Sequence, residues 1–182
     1  MVRRYSIISA VFFVVLSFPL FSAYATDLTL NNAHTEVCFS PNGGCTDAIV
    51  KEIDNATLEV LVQGYSFTSP QIAKALVTAK KRAANVEVIL DKSQRSERYT
   101  SATFLANARI PTDIDDKHAI AHNKIIIIDK STVITGSFNF TKAAEEKNAE
   151  NLLIIRSKAL AGIYIDNWLK HKKHSEPYNP RS

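Results

Sequence analysis

The sequence predicts an α/β layered domain in which a mixed, mostly parallel β-sheet is flanked by helices. Two observations carry that expectation. Short β-branched runs alternate along the chain with stretches whose apolar residues recur every three or four positions, the pattern of strands interleaved with amphipathic helices. Late in the chain, residues 125–128 (Ile-Ile-Ile-Ile) and 132–135 (Thr-Val-Ile-Thr) flank Asp129-Lys130-Ser131, a hairpin whose apolar strands call for cover on both faces. No internal repeat or low-complexity tract divides the chain, so a single domain is expected.

The first segment reads as an export signal. Arg3 and Arg4 precede an apolar run over residues 7–21 and the small-x-small pattern Ala23-Tyr24-Ala25, the grammar of a cleaved secretory leader. A membrane anchor needs about 20 apolar residues, and this run is shorter and contains Pro19. The expected organisation is a signal peptide over residues 1–25 and one domain over residues 26–182, placed in the periplasm or outside the cell, with no stable membrane anchoring after cleavage. Removing 25 of 182 residues leaves 157, enough for one core. The net charge falls from +4 to +2, because the leader carries two arginines and no acid. Such a mild charge makes any attraction for a polyanion depend on local clustering.

In an oxidising compartment, Cys38 and Cys45 of CFSPNGGC are expected to form a disulfide. A metal or redox pair is the rival, but the chain has no second cysteine pair and no C-x-x-C spacing. The bridge would staple a turn between a first strand over residues 35–39 and a helix starting near Thr46, with Ile49, Ile53 and Ala56 on its apolar side. Leu58, Val60 and Val62 alternate as a second strand. Ser69-Pro70 supplies an N-cap and a first-turn proline, and Ile72, Leu76, Ala79 and Ala83 form the inward stripe of the next helix. Val86, Val88 and Leu90 make a third strand. A weaker helix over residues 97–106 and a short strand near Arg109 lead to the hairpin. Beyond it, residues 150–156 read as a strand, and Leu160, Ile163, Tyr164 and Trp168 mark a closing amphipathic helix. Its basic end, residues 170–174, is expected to compensate the helix dipole, and Pro177 and Pro180 suggest a loose tail.

The chemistry-bearing residues concentrate in residues 122–139, HNKIIIIDKSTVITGSFN. Side chains alternate along a strand, so His122 and Lys124 share a face, as do Ser137 and Asn139, and a hairpin returns both pairs to one end of the sheet. The pattern H-x-K-x4-D-x6-G-S-x-N, carried by His122, Lys124, Asp129, Gly136, Ser137 and Asn139, resembles the signature of the phospholipase D superfamily. The single copy of the motif, the leader and the Glu150 that follows resemble its single-motif periplasmic nuclease branch. The resemblance implies a layered phospholipase D-like sandwich and hydrolysis of phosphodiesters, with nucleic acid as the substrate.

The motif residues suit that chemistry. Lys124 supplies fixed positive charge, Ser137 and Asn139 supply donors for non-bridging phosphate oxygens, and His122 can serve as nucleophile or proton donor. One histidine cannot do both at once. A homodimer is therefore expected, with one His122 forming a phosphohistidine while the second protonates the leaving oxygen, an arrangement the resemblance also implies. Glu150 is expected to hold the His122 tautomer. Asp129, at the hairpin turn, reads as structural, bonding turn amides or a lysine, and Gly136 as a structural motif position. No cofactor is expected, and no metal, because Lys124 can provide the charge a metal would supply.

Other candidates carry competing readings. Gln63, Tyr65 and Phe67, in the segment QGYSFTS at a strand end, are candidate substrate contacts, with Tyr65 or Phe67 able to stack on a base; packing in the core or at its rim explains them equally. Asp113, Asp115 and Asp116 read as a solvated acidic loop in preference to a metal site, and His118 as a loop residue near the cleft. Lys80-Lys81-Arg82 and the basic residues among 92–98 read as solvated surface or phosphate contacts. Phospholipid head-group hydrolysis is the second enzymatic reading, since the motif recognises the phosphodiester and not what it joins. A binding module without turnover predicts broken catalytic positions, and these are intact.

Overall fold

A computed structural model describes residues 25–180; apart from Ala25, the expected leader lies outside the described residues. The elements in chain order are β1 (Thr35–Ser40), α1 (Cys45–Asp54), β2 (Glu59–Gly64), α2 (Pro70–Lys81), β3 (Asn85–Asp91), α3 (Ala102–Asn107), β4 (Thr112–Asp115), β5 (Lys124–Ile128), β6 (Thr132–Gly136), α4 (Lys142–Glu146), β7 (Glu150–Arg156), α5 (Lys158–Lys172) and β8 (Glu176–Pro177). The strands form one eight-stranded mixed sheet in the order β1-β7-β6-β5-β2-β3-β4-β8. Helices flank it, which is the expected α/β class.

The expectation of a mostly parallel sheet needs correction. Only β2–β3 and β3–β4 run parallel; the other five pairings are antiparallel. The crossover helix α2 delivers the first parallel neighbour. The second half of the chain instead turns back on itself through the β5–β6 hairpin and the short β6–β7 connection, and such close returns make antiparallel pairs.

Both faces of the sheet are covered. On one face Val60, Val62, Val88, Ile126, Ile134 and Leu152 pack with Ile49 and Ile53 of α1, Ile72 and Leu76 of α2, and Leu105 of α3. On the other, Leu61, Ile89, Ile125, Ile127 and Val133 pack beneath α5 through Ala161 and Trp168. This two-sided burial explains why residues 125–128 are uninterrupted isoleucine. The Trp168 indole also donates to the Val62 carbonyl at 3.0 Å, fixing α5 over the centre of the sheet.

Several local expectations shift. Leu58 lies before β2 and is exposed. Ala83 is exposed beyond the end of α2, at φ 72°. The helix expected over residues 97–106 is the shorter α3, preceded by a 3-10 turn over Lys92–Arg95, and the strand expected near Arg109 is β4. Asp113 and Asp115 are buried in β4, not in a solvated loop. The tail is partly paired, because Glu176 and Pro177 add β8 to β4. Arg82 donates to the Ile53 carbonyl at 2.9 Å, so it tethers α1.

Two tethers join separate parts of the chain. Cys38 and Cys45 are bridged, with Cα atoms 5.6 Å apart, joining β1 to the first residue of α1. The Asp129 carboxylate accepts from the Thr57 amide and hydroxyl, both at 2.9 Å, and from the Leu58 and Glu59 amides at 2.8 and 2.9 Å. It thereby pins the hairpin turn to the chain entering β2. Burial acts to raise the Asp129 pKa, but the amides of Glu59, Thr57 and Leu58 and the Thr57 hydroxyl outweigh it and hold the carboxyl below its ordinary value.

A depressed folded pKa contributes stability above the unfolded pKa that is lost as pH falls through the folded one. Asp129→Asn is expected to lower stability by about 2–4 kcal/mol at neutral pH. In urea unfolding, the gap from wild type narrows as the pH falls through the acidic range; a gap that stays constant with pH contradicts this role.

Candidate active site

The motif residues meet at one end of the sheet because of strand direction. Lys124 opens β5, Gly136 ends β6 and Glu150 opens β7, and the antiparallel pairs place these three ends together. The carboxyl end of β2 joins them, with Gly64 opposite Lys124 and the Tyr65 amide donating to the Asn123 carbonyl at 2.8 Å.

Lys124 is buried, at 7 % exposed, while His122 faces solvent. The ammonium donates to the His122 carbonyl at 3.0 Å and stands 5.0 Å from the centroid of the Tyr65 ring. The same ring packs on the His122 imidazole, centroids 4.5 Å apart and planes inclined by 52°. Tyr65 therefore orders both the imidazole and the ammonium, a role that its sequence position alone did not reveal. Among the described residues none hydrogen-bonds the His122 ring. Burial lowers the Lys124 pKa below that of an ordinary lysine, and the negative charge of Glu150 opposes that shift.

Glu150 has different neighbours from those expected. Its carboxylate accepts from the Ser137 hydroxyl at 2.6 Å and from the Asn148 side-chain Nδ2 at 3.0 Å, not from His122. Ser137 Oγ in turn accepts from the backbone and side-chain nitrogens of Asn151 at 3.1 and 3.3 Å. The single hydroxyl proton of Ser137 is thus given to Glu150, not held ready for a phosphate oxygen. Together the two residues place a fixed negative charge behind the lysine. Asn139 differs: its Oδ1 is shielded from solvent and has no hydrogen-bond partner. Phe138 and Phe140 on either side are buried, and the Phe140 carbonyl accepts from the Thr68 and Ser69 amides, so the backbone holding Asn139 is fixed.

Gly136 is required by shape. At φ 149°, a Cβ on this residue would lie 2.2 Å from the Asn151 carbonyl oxygen, where the Ser137 and Phe138 amides also converge on that acceptor. The α4 connection is held as well, since the Glu145 carboxylate accepts from the Gly44 and Thr46 amides at 2.9 and 2.7 Å, at the start of α1.

Two candidate substrate contacts are corrected. Phe67 is fully buried and packs edge-on against Phe140 with centroids 5.6 Å apart, so it offers no face to a base. Gln63 is 1 % exposed, between Ile89 and Ile125 of the neighbouring strands, and its amide reaches no solvent. The third, Tyr65, stands in the site. A cavity of about 520 Å³ opens beside His122 and Lys124, with Leu28, Leu160, Ile163 and Tyr164 forming its apolar wall.

A solvent-facing imidazole beside a buried, fixed ammonium is a site for phosphodiester chemistry, and the fold carries it where the ends of β2, β5, β6 and β7 converge. The family model described as the cardiolipin synthase phospholipase D-like domain matches residues 49–171. The phospholipase D of Rickettsia conorii is 43 % identical over 143 residues, 79 % of this chain and 72 % of that one. Among solved structures, the phospholipase D family member Nuc from Salmonella typhimurium superposes with a TM-score of 0.78 at 38 % identity, over 81 % of this chain and 99 % of its own. NucT from Helicobacter pylori shares the fold, with a TM-score of 0.74 at 21 % identity over 80 % of this chain and 99 % of its own. This chain belongs to the phospholipase D superfamily and is an enzyme of the class that acts on phosphodiester bonds.

The electrostatics make a signed expectation. Lys124 loses its charge as pH rises through its folded pKa, and Glu150→Gln removes the charge that holds that pKa up. In the pH profile of kcat/KM for a phosphodiester, the alkaline limb of Glu150→Gln is expected at lower pH than in wild type; an unmoved limb contradicts the coupling. Gly136→Ala is expected to cost more than about 1 kcal/mol in urea unfolding, since both the backbone angle and the space exclude a methyl group.

Proposed function

We propose that this chain is an exported endonuclease that hydrolyses DNA, and RNA by the same chemistry, with little sequence preference and without a metal ion. The observation that carries this reading is the Lys124 ammonium, buried beside a solvent-facing His122 whose ring makes no hydrogen bond among the described residues. A phosphodiester entering the mouth meets a positive charge already in place, so its own charge needs no bound cation to be countered. The Asn139 carboxamide is suited to a non-bridging oxygen. The Nuc-like architecture, shared over 81 % of this chain, supports nucleic acid as the substrate class.

In the proposed reaction, a His122 ring nitrogen bonds to phosphorus as the bond to the leaving oxygen breaks, and the partner subunit's His122 gives that oxygen a proton. Water then attacks phosphorus, surrendering a proton to the partner subunit's His122, and the P–N bond breaks to release the phosphate monoester and the free imidazole. Two histidines are needed and each chain supplies one at this site, so the working form is a homodimer with a shared site. Glu150, through its charge and its bond to Ser137, positions Lys124. The leader-like residues 1–25 and the Cys38–Cys45 bridge support export to the periplasm or beyond. Among the described residues no helix is long and apolar enough to cross a membrane.

A second reading, phospholipase D-type release of a lipid head group, is favoured by the apolar wall of the cavity beside His122 and by the names of the rickettsial relatives.

Supercoiled plasmid and phosphatidylcholine vesicles, offered side by side at 25 °C in excess EDTA, separate these readings. Nicking of the plasmid, untouched lipid and no activity in folded His122→Ala are the expected results. Cleavage of lipid alone replaces the substrate, and loss of all cleavage in EDTA while circular dichroism stays native contradicts the metal-free chemistry. Sedimentation is expected to show a dimer at concentrations where the enzyme works; a fully active monomer overturns the shared site.

A further inference from the structure

Away from the candidate active site, four side chains converge where β4 ends. Asp115 is the last residue of β4, His118 lies in the loop that follows, and His171 and His174 stand one turn apart at the end of α5. His171 Nδ1 is 2.6 Å from Asp115 Oδ2, His118 Nδ1 is 3.1 Å from both carboxylate oxygens, and His174 Nε2 is 3.2 Å from Oδ1. One candidate ligand atom from each residue lies within 4.8 Å of all the others. The three rings are grouped with centroids 4.9, 5.3 and 5.4 Å apart.

Asp115 was expected in a solvated acidic loop and is instead buried at the end of β4, whereas His118 does lie in a loop and α5 does end in basic residues; what the sequence did not show is that these positions meet. Asp115 is fully buried. His174 Nε2 is shielded from solvent yet lacks the alignment of a hydrogen bond. A buried nitrogen without a hydrogen-bond partner calls for one from outside the chain.

We propose that Asp115, His118, His171 and His174 form a binding site for a divalent transition-metal ion, zinc by its donor set. Three imidazoles and one carboxylate are a four-coordinate zinc donor set, with bonds of about 2.0–2.2 Å that bring ligand atoms to about 3.3–3.5 Å of each other. Calcium and magnesium, which take oxygen ligands, do not suit three nitrogens. The ion closes the end of α5 onto the loop that leads from His118 to His122. That loop is already tied by the Ala121 amide to Asp91 at 2.7 Å and by Lys92 to the His118 carbonyl at 3.1 Å. The site is structural and takes no part in phosphoryl transfer, so it stands independently of the proposed nuclease activity.

The test uses the purified chain stripped of metal by chelation and desalting, titrated with Zn²⁺ by calorimetry and with Co²⁺ by visible absorption. One equivalent is expected to bind, with the intense d–d bands of four-coordinate cobalt. Zinc at about a hundredfold above its Kd is expected to raise Tm by about 5–10 °C. His171→Ala and His174→Ala are each expected to weaken binding about tenfold or more and to abolish that rise. His34→Ala, whose ring contacts Arg156 instead, and His122→Ala are expected to bind as wild type. Absence of stoichiometric binding or of the cobalt bands in wild type overturns the proposal and leaves a proton-held cluster. Undiminished binding in folded His171→Ala and His174→Ala, or lost binding in His122→Ala, overturns it equally. Should the first two variants fail to fold, the wild-type spectrum and the His122→Ala titration decide.

Discussion

A lysine ammonium largely withdrawn from water has to be held next to an imidazole that remains exposed, and the rest of the molecule answers to that constraint. Burial destabilises the charged form of Lys124. The surroundings compensate with the negative charge of Glu150, the His122 carbonyl and the face of Tyr65. Each comes from a different strand end or loop, so the sheet must bring β2, β5 and β7 into register before the charge is tolerable. The result is a cation fixed before any substrate arrives, which is what electrostatic catalysis of a dianionic transition state requires.

The tethers around the site serve this registration. Asp129 occupies the far end of the hairpin and reaches no reacting group, yet its carboxylate ties the turn to the start of β2, and β2 pairs with β5 up to Lys124. Gly136 lets β6 approach the Asn151 carbonyl closely enough to aim Ser137 at Glu150. Glu145 fastens the loop between Asn139 and Glu150 to the first turn of α1. The motif is thus half chemistry and half carpentry, and its fixed spacing reflects strand lengths as much as reactivity.

Much of this was legible in the chain. The period-two and period-three-to-four patterns located most strands and helices, and the β-branched runs located the hairpin with its polar ends. Sheet direction was not legible, because alternating strands and helices suggest parallel crossovers until the returning hairpins are counted. Phe67 and Gln63 misled for a related reason: a strand end near a site is open to substrate only if its residues face outwards, and an aromatic at such an end serves core and ligand equally well on paper. Ser137 was grouped with Asn139 and Glu150 with His122; the hydrogen bond between Ser137 and Glu150 depends on the β6–β7 register, which no single segment encodes. The D-x2-H and H-x2-H spacings at Asp115/His118 and His171/His174 were visible separately; that they meet depends on α5 crossing back over the sheet to β4.

The central claim is that His122 takes phosphorus through a covalent intermediate, which makes hydrolysis two in-line displacements. Following the configuration at phosphorus tests this most directly: a chiral phosphorothioate diester is hydrolysed in isotopically labelled water and the product's handedness determined. Two displacements predict net retention. Net inversion would mean that water attacks phosphorus directly, and would contradict the role assigned to His122.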